Sequence, residues 1–170
     1  MKLVASKPRL IASSVSLLMA ACTTGAQTLE SQLLPAQAAC FLSNEQSVAV
    51  NLEWAETAEQ RRIGLMGRET LEERSGMLFD YGSLQPAASS FWMRDTLIAL
   101  DIAYVNQQGI IVAINRMEPC TSVAAFNCPT YPAGAEFVQA VEMNAGFFSR
   151  YQITLGDRLQ TDSALCANEF

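Results

Sequence analysis

The sequence predicts a mainly β domain with a little helix, either an antiparallel sandwich or a partly closed barrel carrying one or two short helices. Three observations lead there. From residue 47 onward the apolar residues fall in short runs of strand length rather than helix length. Clusters of glycine, asparagine and aspartate, such as Asn106-Gln107-Gln108-Gly109, separate those runs. Helix-start signals are few, and each is followed by only one or two turns of suitable sequence. Many short strands with turns between them are the mark of sandwiches and barrels.

Taken in order, Ser47 to Trp54 alternates, with Val48, Val50, Leu52 and Trp54 on one face and Ala49, Asn51 and Glu53 on the other, as in a half-buried strand. Thr57-Ala58-Glu59-Gln60 offers a capping box and a short helix expected to end at Gly67. Thr70-Leu71-Glu72-Glu73 repeats that signal for one or two further turns. Met77 to Tyr81, closed by Gly82, and Ser90 to Arg94 read as strands. Residues 98–105 and 110–117 form a hairpin, and Pro119 to Pro132 a loop. Phe137 to Met143 is a strand, Ala145 to Arg150 a helical turn, and Ile153 to Leu159 a last strand bent near Gly156-Asp157.

Ahead of this domain, Lys2, Lys7 and Arg9 lead into an apolar run from Leu10 to Ala21 that lacks acids. That is the charged start and short apolar core of a secretory signal, too brief to span a membrane as a helix. Leu18-Met19-Ala20-Ala21-Cys22 resembles a lipobox, which makes residues 1–21 the signal and Cys22 an acylated anchor. The absence of aspartate after Cys22 then points to outer-membrane sorting. The alternative is an ordinary cut after Ala26 and a soluble periplasmic protein. Residues 22–39 read as a tether and 40–170 as a single domain.

Without the signal, eight arginines and no lysine face seventeen acids, a net charge of −9. Such a surface is unsuited to nucleic acid. No lysine means no Schiff base and no phosphate-loop lysine, and no histidine means no Ser-His or Cys-His relay. No cofactor is expected. Beyond Cys22, four cysteines remain, an even number suited to disulfides in an oxidising compartment. Three connectivities are open; Cys120–Cys128 and Cys40–Cys166 are favoured over the others and over a metal site, since no close Cys-x-x-Cys pair exists.

Two acids stand inside apolar strands. Asp101 shares a strand face with Ala99, Ala103 and Val105, and Glu142 shares one with Val138 and Ala140. Together they define either a shallow polar recess or carboxylates paired with Arg68 or Arg94. Trp92 and Arg94 share a strand face, where an indole and a guanidinium can hold a sugar ring or an anion; a core tryptophan beside a surface arginine fits equally. The methionines at 66, 77, 93, 117 and 143 read as core filler, with soft-metal binding as the sharper alternative.

Gly64-Leu65-Met66-Gly67-Arg68, Gly76-Met77-Leu78-Phe79, Phe91-Trp92-Met93-Arg94-Asp95-Thr96, Leu100-Asp101-Ile102-Ala103, Pro119 and Glu142-Met143-Asn144-Ala145-Gly146 together resemble the family called domain of unknown function 192, from about Val48 to Leu159. The resemblance implies a compact, mainly β, often exported domain with no established activity. It adds Thr96 and Asn144 to the positions of interest, and it marks Asp95 as standing where asparagine is common.

The expectation is therefore a noncatalytic envelope module, anchored to a membrane through Cys22, that binds a small polar or saccharide ligand or an envelope component. Candidate ligand contacts are Arg68, Trp92, Arg94, Asp101, Glu142 and Asn144, with no metal ligands assigned. One alternative is a glycan hydrolase working through Asp101 and Glu142. Another is metal handling by Met66, Met93 or Met143.

Overall fold

The structure, a computed structural model, describes residues 33–43, 46–121 and 127–166. Its main sheet has seven strands in the order β6-β5-β8-β3-β2-β1-β9, and a two-stranded sheet, β4-β7, lies apart from it. The strands are β1 (Ala36–Leu42), β2 (Ser47–Ala55), β3 (Ser75–Gln85), β4 (Ser90–Trp92), β5 (Leu100–Val105), β6 (Ile111–Met117), β7 (Thr130–Pro132), β8 (Phe137–Asn144) and β9 (Arg158–Gln160). Three short helices accompany them: α1 (Ala58–Ile63), α2 (Phe147–Arg150) and α3 (Ser163–Cys166). Sheet pairing begins at Ala36, opposite Glu53, so the stretch read as a tether gives way to strand four residues before Cys40.

All pairs in the main sheet are antiparallel except β2–β3. A parallel neighbour needs a crossover, and the long connection through α1 supplies it. The sheet curls until its two end strands meet. Ile110 bridges Arg158, the Ile111 N–H donates to the Asp157 carbonyl at 2.8 Å, and the Leu159 N–H donates to the Gly109 carbonyl at 2.8 Å. Gly109, at φ +76°, serves both the β5–β6 turn and this seam, because a Cβ there would meet the Leu159 carbonyl oxygen at 2.9 Å. The partly closed barrel is thus the arrangement adopted.

Curling creates two apolar layers. The inner one gathers Phe41, Val50, Leu52, Leu78, Val105, Val141 and Leu159 under Phe147 and Phe148 of α2. The outer one, between the main sheet and β4-β7, gathers Met77, Phe79, Phe91, Leu100, Ile102, Tyr104 and Phe137. β5 is therefore buried along its whole length, on both faces.

Several local expectations are corrected by tertiary contacts. The capping box at Thr57 forms, with Gln60 N–H donating to the Thr57 hydroxyl at 3.2 Å, but α1 stops at Ile63 with Gly64 as its cap. Its expected continuation to Gly67 is replaced by turns, because the Gly67 N–H donates to the Asp95 carbonyl at 2.8 Å. Thr70–Glu73 is not helical either: the Asn144 amide donates to the Leu71 and Glu72 carbonyls, at 3.1 and 2.9 Å. β3 does not end at Gly82 but runs on to Gln85 through a register shift. Residues 153–157 are a turn rather than strand, held by the Asp157 carboxylate accepting from the Thr154 N–H at 2.7 Å.

Candidate functional site

Strand register decides which of the candidate residues can act together. Residues directly opposite each other in paired strands project from the same face. Glu142 stands opposite Ile102 on β5 and Met77 on β3, and Met77 stands opposite Glu53 on β2. This row faces the outer layer. Asp101 stands opposite Met143, one position along, and faces the inner layer. The expected shared recess of Asp101 and Glu142 does not exist, and a hydrolase using them as a pair loses its geometry.

Asp101 serves the start of α2. The helix begins at Gly146, at φ +83°, which has no side chain to cap it. The Asp101 Oδ2 atom takes that role, accepting the Gly146 N–H at 2.8 Å. Neither Arg68 nor Arg94 pairs with it; the half-exposed Arg116 approaches to 3.9 Å. Burial raises the Asp101 pKa, opposed by the Gly146 N–H and then by the Arg116 guanidinium. Asp101 and Arg116 also border a concavity of about 720 Å³, which runs beside β6 past Ile114, Phe148 and Leu155. Its acid already holds a backbone N–H, so this groove offers no unused polar group of that kind.

Glu142 is different. It is 4% exposed, and no hydrogen bond or ion pair ties its carboxyl among the described residues, where the one fully buried polar side-chain atom without a partner is the Trp54 Nε1. Burial alone pushes its pKa up to about 8, so it carries its proton at neutral pH and can donate as well as accept. The carboxyl borders a recess walled by Phe79, Phe91, Trp92, Thr96 and the α1 end from Arg61 to Met66. The space in the recess that admits a water-sized group is about 20 Å³. That is room for one such group. Trp92 stands at 42% exposure on the wall.

The recess wall is tied together by residues far apart in sequence. Thr96 is buried, and Cys120 pairs with the backbone on both sides of Asp95: the Asp95 N–H donates to the Cys120 carbonyl at 2.9 Å, and the Cys120 N–H to that of Thr96 at 3.3 Å. Cys120 is itself held by its disulfide to Cys128, and Cys40 is joined to Cys166. Asp95 has φ +53°, a conformation in which asparagine and aspartate are enriched. That accounts for either residue at this position of the family motif.

The remaining candidates scatter. Arg68 does pair with a buried acid, but the acid is Glu53, at 2.8 Å, and Glu53 also accepts the Leu34 N–H at 2.8 Å. Alternation assigned Glu53 to an uncovered face; the α1–β3 connection that carries Arg68 covers it. The one available signal was a glutamate inside a strand of this composition. Arg94 points outward with Trp92, as expected, and pairs with its neighbour Asp95 at 3.2 Å. Asn144 pins the 71–72 backbone and lies away from Glu142's recess. Met93 is in the outer layer and Met143 in the inner one, so the two cannot converge on one ion. Among the described residues no group of three Cys, Asp or Glu side chains is placed to hold a metal. Cys22 and the segment read as a signal lie outside the described residues.

A curled β half-barrel with a small covering sheet makes this a β-rich domain. The model for domain of unknown function 192, described as an uncharacterised ACR, matches residues 40–161, and the chain belongs to that family. Two crystal structures share the fold. One, from Sinorhizobium meliloti 1021 and described as a candidate transcription regulator, aligns at 26% identity and a TM-score of 0.66, over 76% of this chain and 95% of its own. The other, a protein of unknown function from Novosphingobium aromaticivorans DSM 12444, aligns at 26% identity and a TM-score of 0.64, over 75% and 86%. No curated protein matches the chain.

Proposed function

We propose that this chain is a noncatalytic binding module of the bacterial envelope, held to a membrane by a lipid on Cys22, that takes a small polar or saccharide ligand at the Glu142–Trp92 recess. The observation that carries the reading is Glu142: a buried carboxyl without a partner among the described residues, bordering a recess with a half-exposed indole. Leaving such a group unpaired costs about 1–3 kcal/mol, which a ligand hydroxyl can recover. Ligand sites of this kind join an apolar lining to very few polar groups. The disulfides Cys40–Cys166 and Cys120–Cys128 support export, and they leave Cys22 as the odd cysteine. The regulator description of the Sinorhizobium protein finds no support in a chain that keeps no lysine beyond its signal segment and carries seventeen acids.

A thermal-shift panel of cell-wall fragments and oligosaccharides on the oxidised protein tests binding. A ligand at one hundred times its Kd stabilises by about 2.7 kcal/mol. The expected shift disappears in Trp92→Ala; a panel flat throughout overturns the reading. Intact mass of the envelope-extracted chain tests the anchor: an acylated Cys22 is expected, and a chain starting at Gln27 overturns it.

A further inference from the structure

We infer that the recess reads the exocyclic hydroxymethyl arm of a pyranose, its hydroxyl meeting the Glu142 carboxyl while the sugar ring lies on the exposed Trp92 indole. The inference rests on the binding reading above and names the chemical group recognised.

Size comes first. The space in the recess that admits a water-sized group is about 20 Å³ in all, and both Glu142 and Trp92 line it. A ring cannot reach Glu142, but a single arm projecting from a ring can. Polarity comes next. The lining combines the Glu142 carboxyl and Thr96, whose hydroxyl donates to the Arg94 carbonyl at 3.4 Å, with the rings of Phe79 and Phe91. A methylene that ends in a hydroxyl matches it, with carbon against the rings and oxygen against the acid. A protonated carboxyl and an alcohol each donate and accept once, so the pair is mutually satisfied.

Charge narrows the choice. Arg61 and Arg62 border the recess, which disfavours an ammonium arm. Neither is idle. Arg61 donates to the carbonyls of Glu56 and Asp80, at 2.5 and 2.6 Å, and lies over the Tyr81 ring at 4.7 Å. Arg62 is paired with Glu59 at 2.6 Å. An anionic arm would have to compete for these guanidinium groups with the partners they already hold. A neutral hydroxymethyl needs neither arginine.

The test changes the ligand, so it does not depend on a variant folding. The full-length oxidised chain is titrated with the methyl glycosides of glucose, galactose, mannose and N-acetylglucosamine, each beside its 6-deoxy counterpart, with methyl xyloside as the armless control. Binding is followed by tryptophan fluorescence and calorimetry. At least one hexoside is expected to bind, with affinity falling about tenfold or more in its 6-deoxy form and in the xyloside. In Glu142→Leu, checked for folding by its circular dichroism, the 6-deoxy penalty is expected to shrink below threefold. Equal affinity for a hexoside and its 6-deoxy form overturns this inference and leaves the binding module standing. Absence of binding by every glycoside overturns this inference, and together with a flat oligosaccharide panel it removes the binding reading as well.

Discussion

Asp101 and Glu142 sit on neighbouring paired strands, one register position out of line, and so point to opposite sides of one sheet. Because side chains alternate with period two, that single step separates them by the full thickness of the backbone layer. One acid faces the barrel interior and starts a helix; the other faces the outer layer and has no partner among the described residues. Their different environments give them different work, and each consequence can be measured alone.

Asp101→Ala removes the acceptor for the Gly146 N–H and is expected to lower stability by about 1–2 kcal/mol, the usual range for a lost cap. Asp101→Asn keeps an oxygen there and should lose less. Neither variant should alter ligand affinity, since Asp101 lies on the far face from the recess. Denaturant unfolding beside a binding titration checks both halves, and a binding defect in a stable Asp101→Asn protein would contradict the assignment.

Glu142 sets a pH dependence of definite sign. Its folded pKa, about 8, lies above its ordinary value of 4.5. Below 4.5 both folded and unfolded chains hold the proton. Between 4.5 and about 8 only the folded chain does, so stability falls as pH rises through that window, and above it the loss is complete. Asp101, also raised, adds a smaller effect of the same sign. Glu142→Gln should melt much as the wild type does near pH 5 and progressively above it towards pH 9, with a gap on the order of a few kcal/mol. Parallel melting curves across that range would refute a raised Glu142.

The Glu53–Arg68 pair is nearly buried, with side-chain exposures of 10% and 11%. Arg68→Met strands the Glu53 carboxylate and should cost about 3–5 kcal/mol, while the double change Glu53→Gln with Arg68→Met should recover a large part of it. A double-mutant cycle by urea unfolding reads the coupling directly.

The disulfides differ in the loops they close. Cys40–Cys166 spans 126 residues of sequence and Cys120–Cys128 spans 8. Loop entropy assigns about 5 kcal/mol to the first and about 2.5 to the second. Replacing the long-range pair by alanines should therefore cost more stability. Replacing the short pair should weaken ligand binding more, because Cys120 supports the backbone from Asp95 to Thr96 at the recess.

Gly76→Ala probes the close approach of β3 to β8. A Cβ at this position would collide with the Glu142 carbonyl oxygen and the Met143 sulfur. The first of these is backbone and cannot step aside. A loss of more than about 2 kcal/mol is expected on thermal melting, with overpacking as the cause. A melting temperature unchanged from wild type would show that the strands can separate there. Gly76 thus serves strand packing.

Much of this architecture was legible in the sequence. Alternation located β2, β5 and β8, the Asn106–Gly109 cluster placed the β5–β6 turn, and cysteine parity led to the two disulfides that form. Local signals misled where distant backbone intervened: the Thr70–Glu73 helix signal lost to the Asn144 amide, and the α1 continuation lost to Asp95. Glu53 escaped notice because alternation tells which residues share a face but not what covers it.

By itself, then, the sequence determined the β-rich class, the family, an even set of cysteines suited to disulfides and the strands that carry Asp101 and Glu142, because these depend on short-range periodicity and residue chemistry. The tertiary structure alone decided that the two acids part company, that Arg68 answers Glu53, and that Glu142 meets Trp92 across an aromatic recess. Those facts depend on the register between strands and on the crossover from β2 to β3, which bring together residues up to about eighty positions apart. No periodicity within one strand encodes which face of its neighbour it will meet.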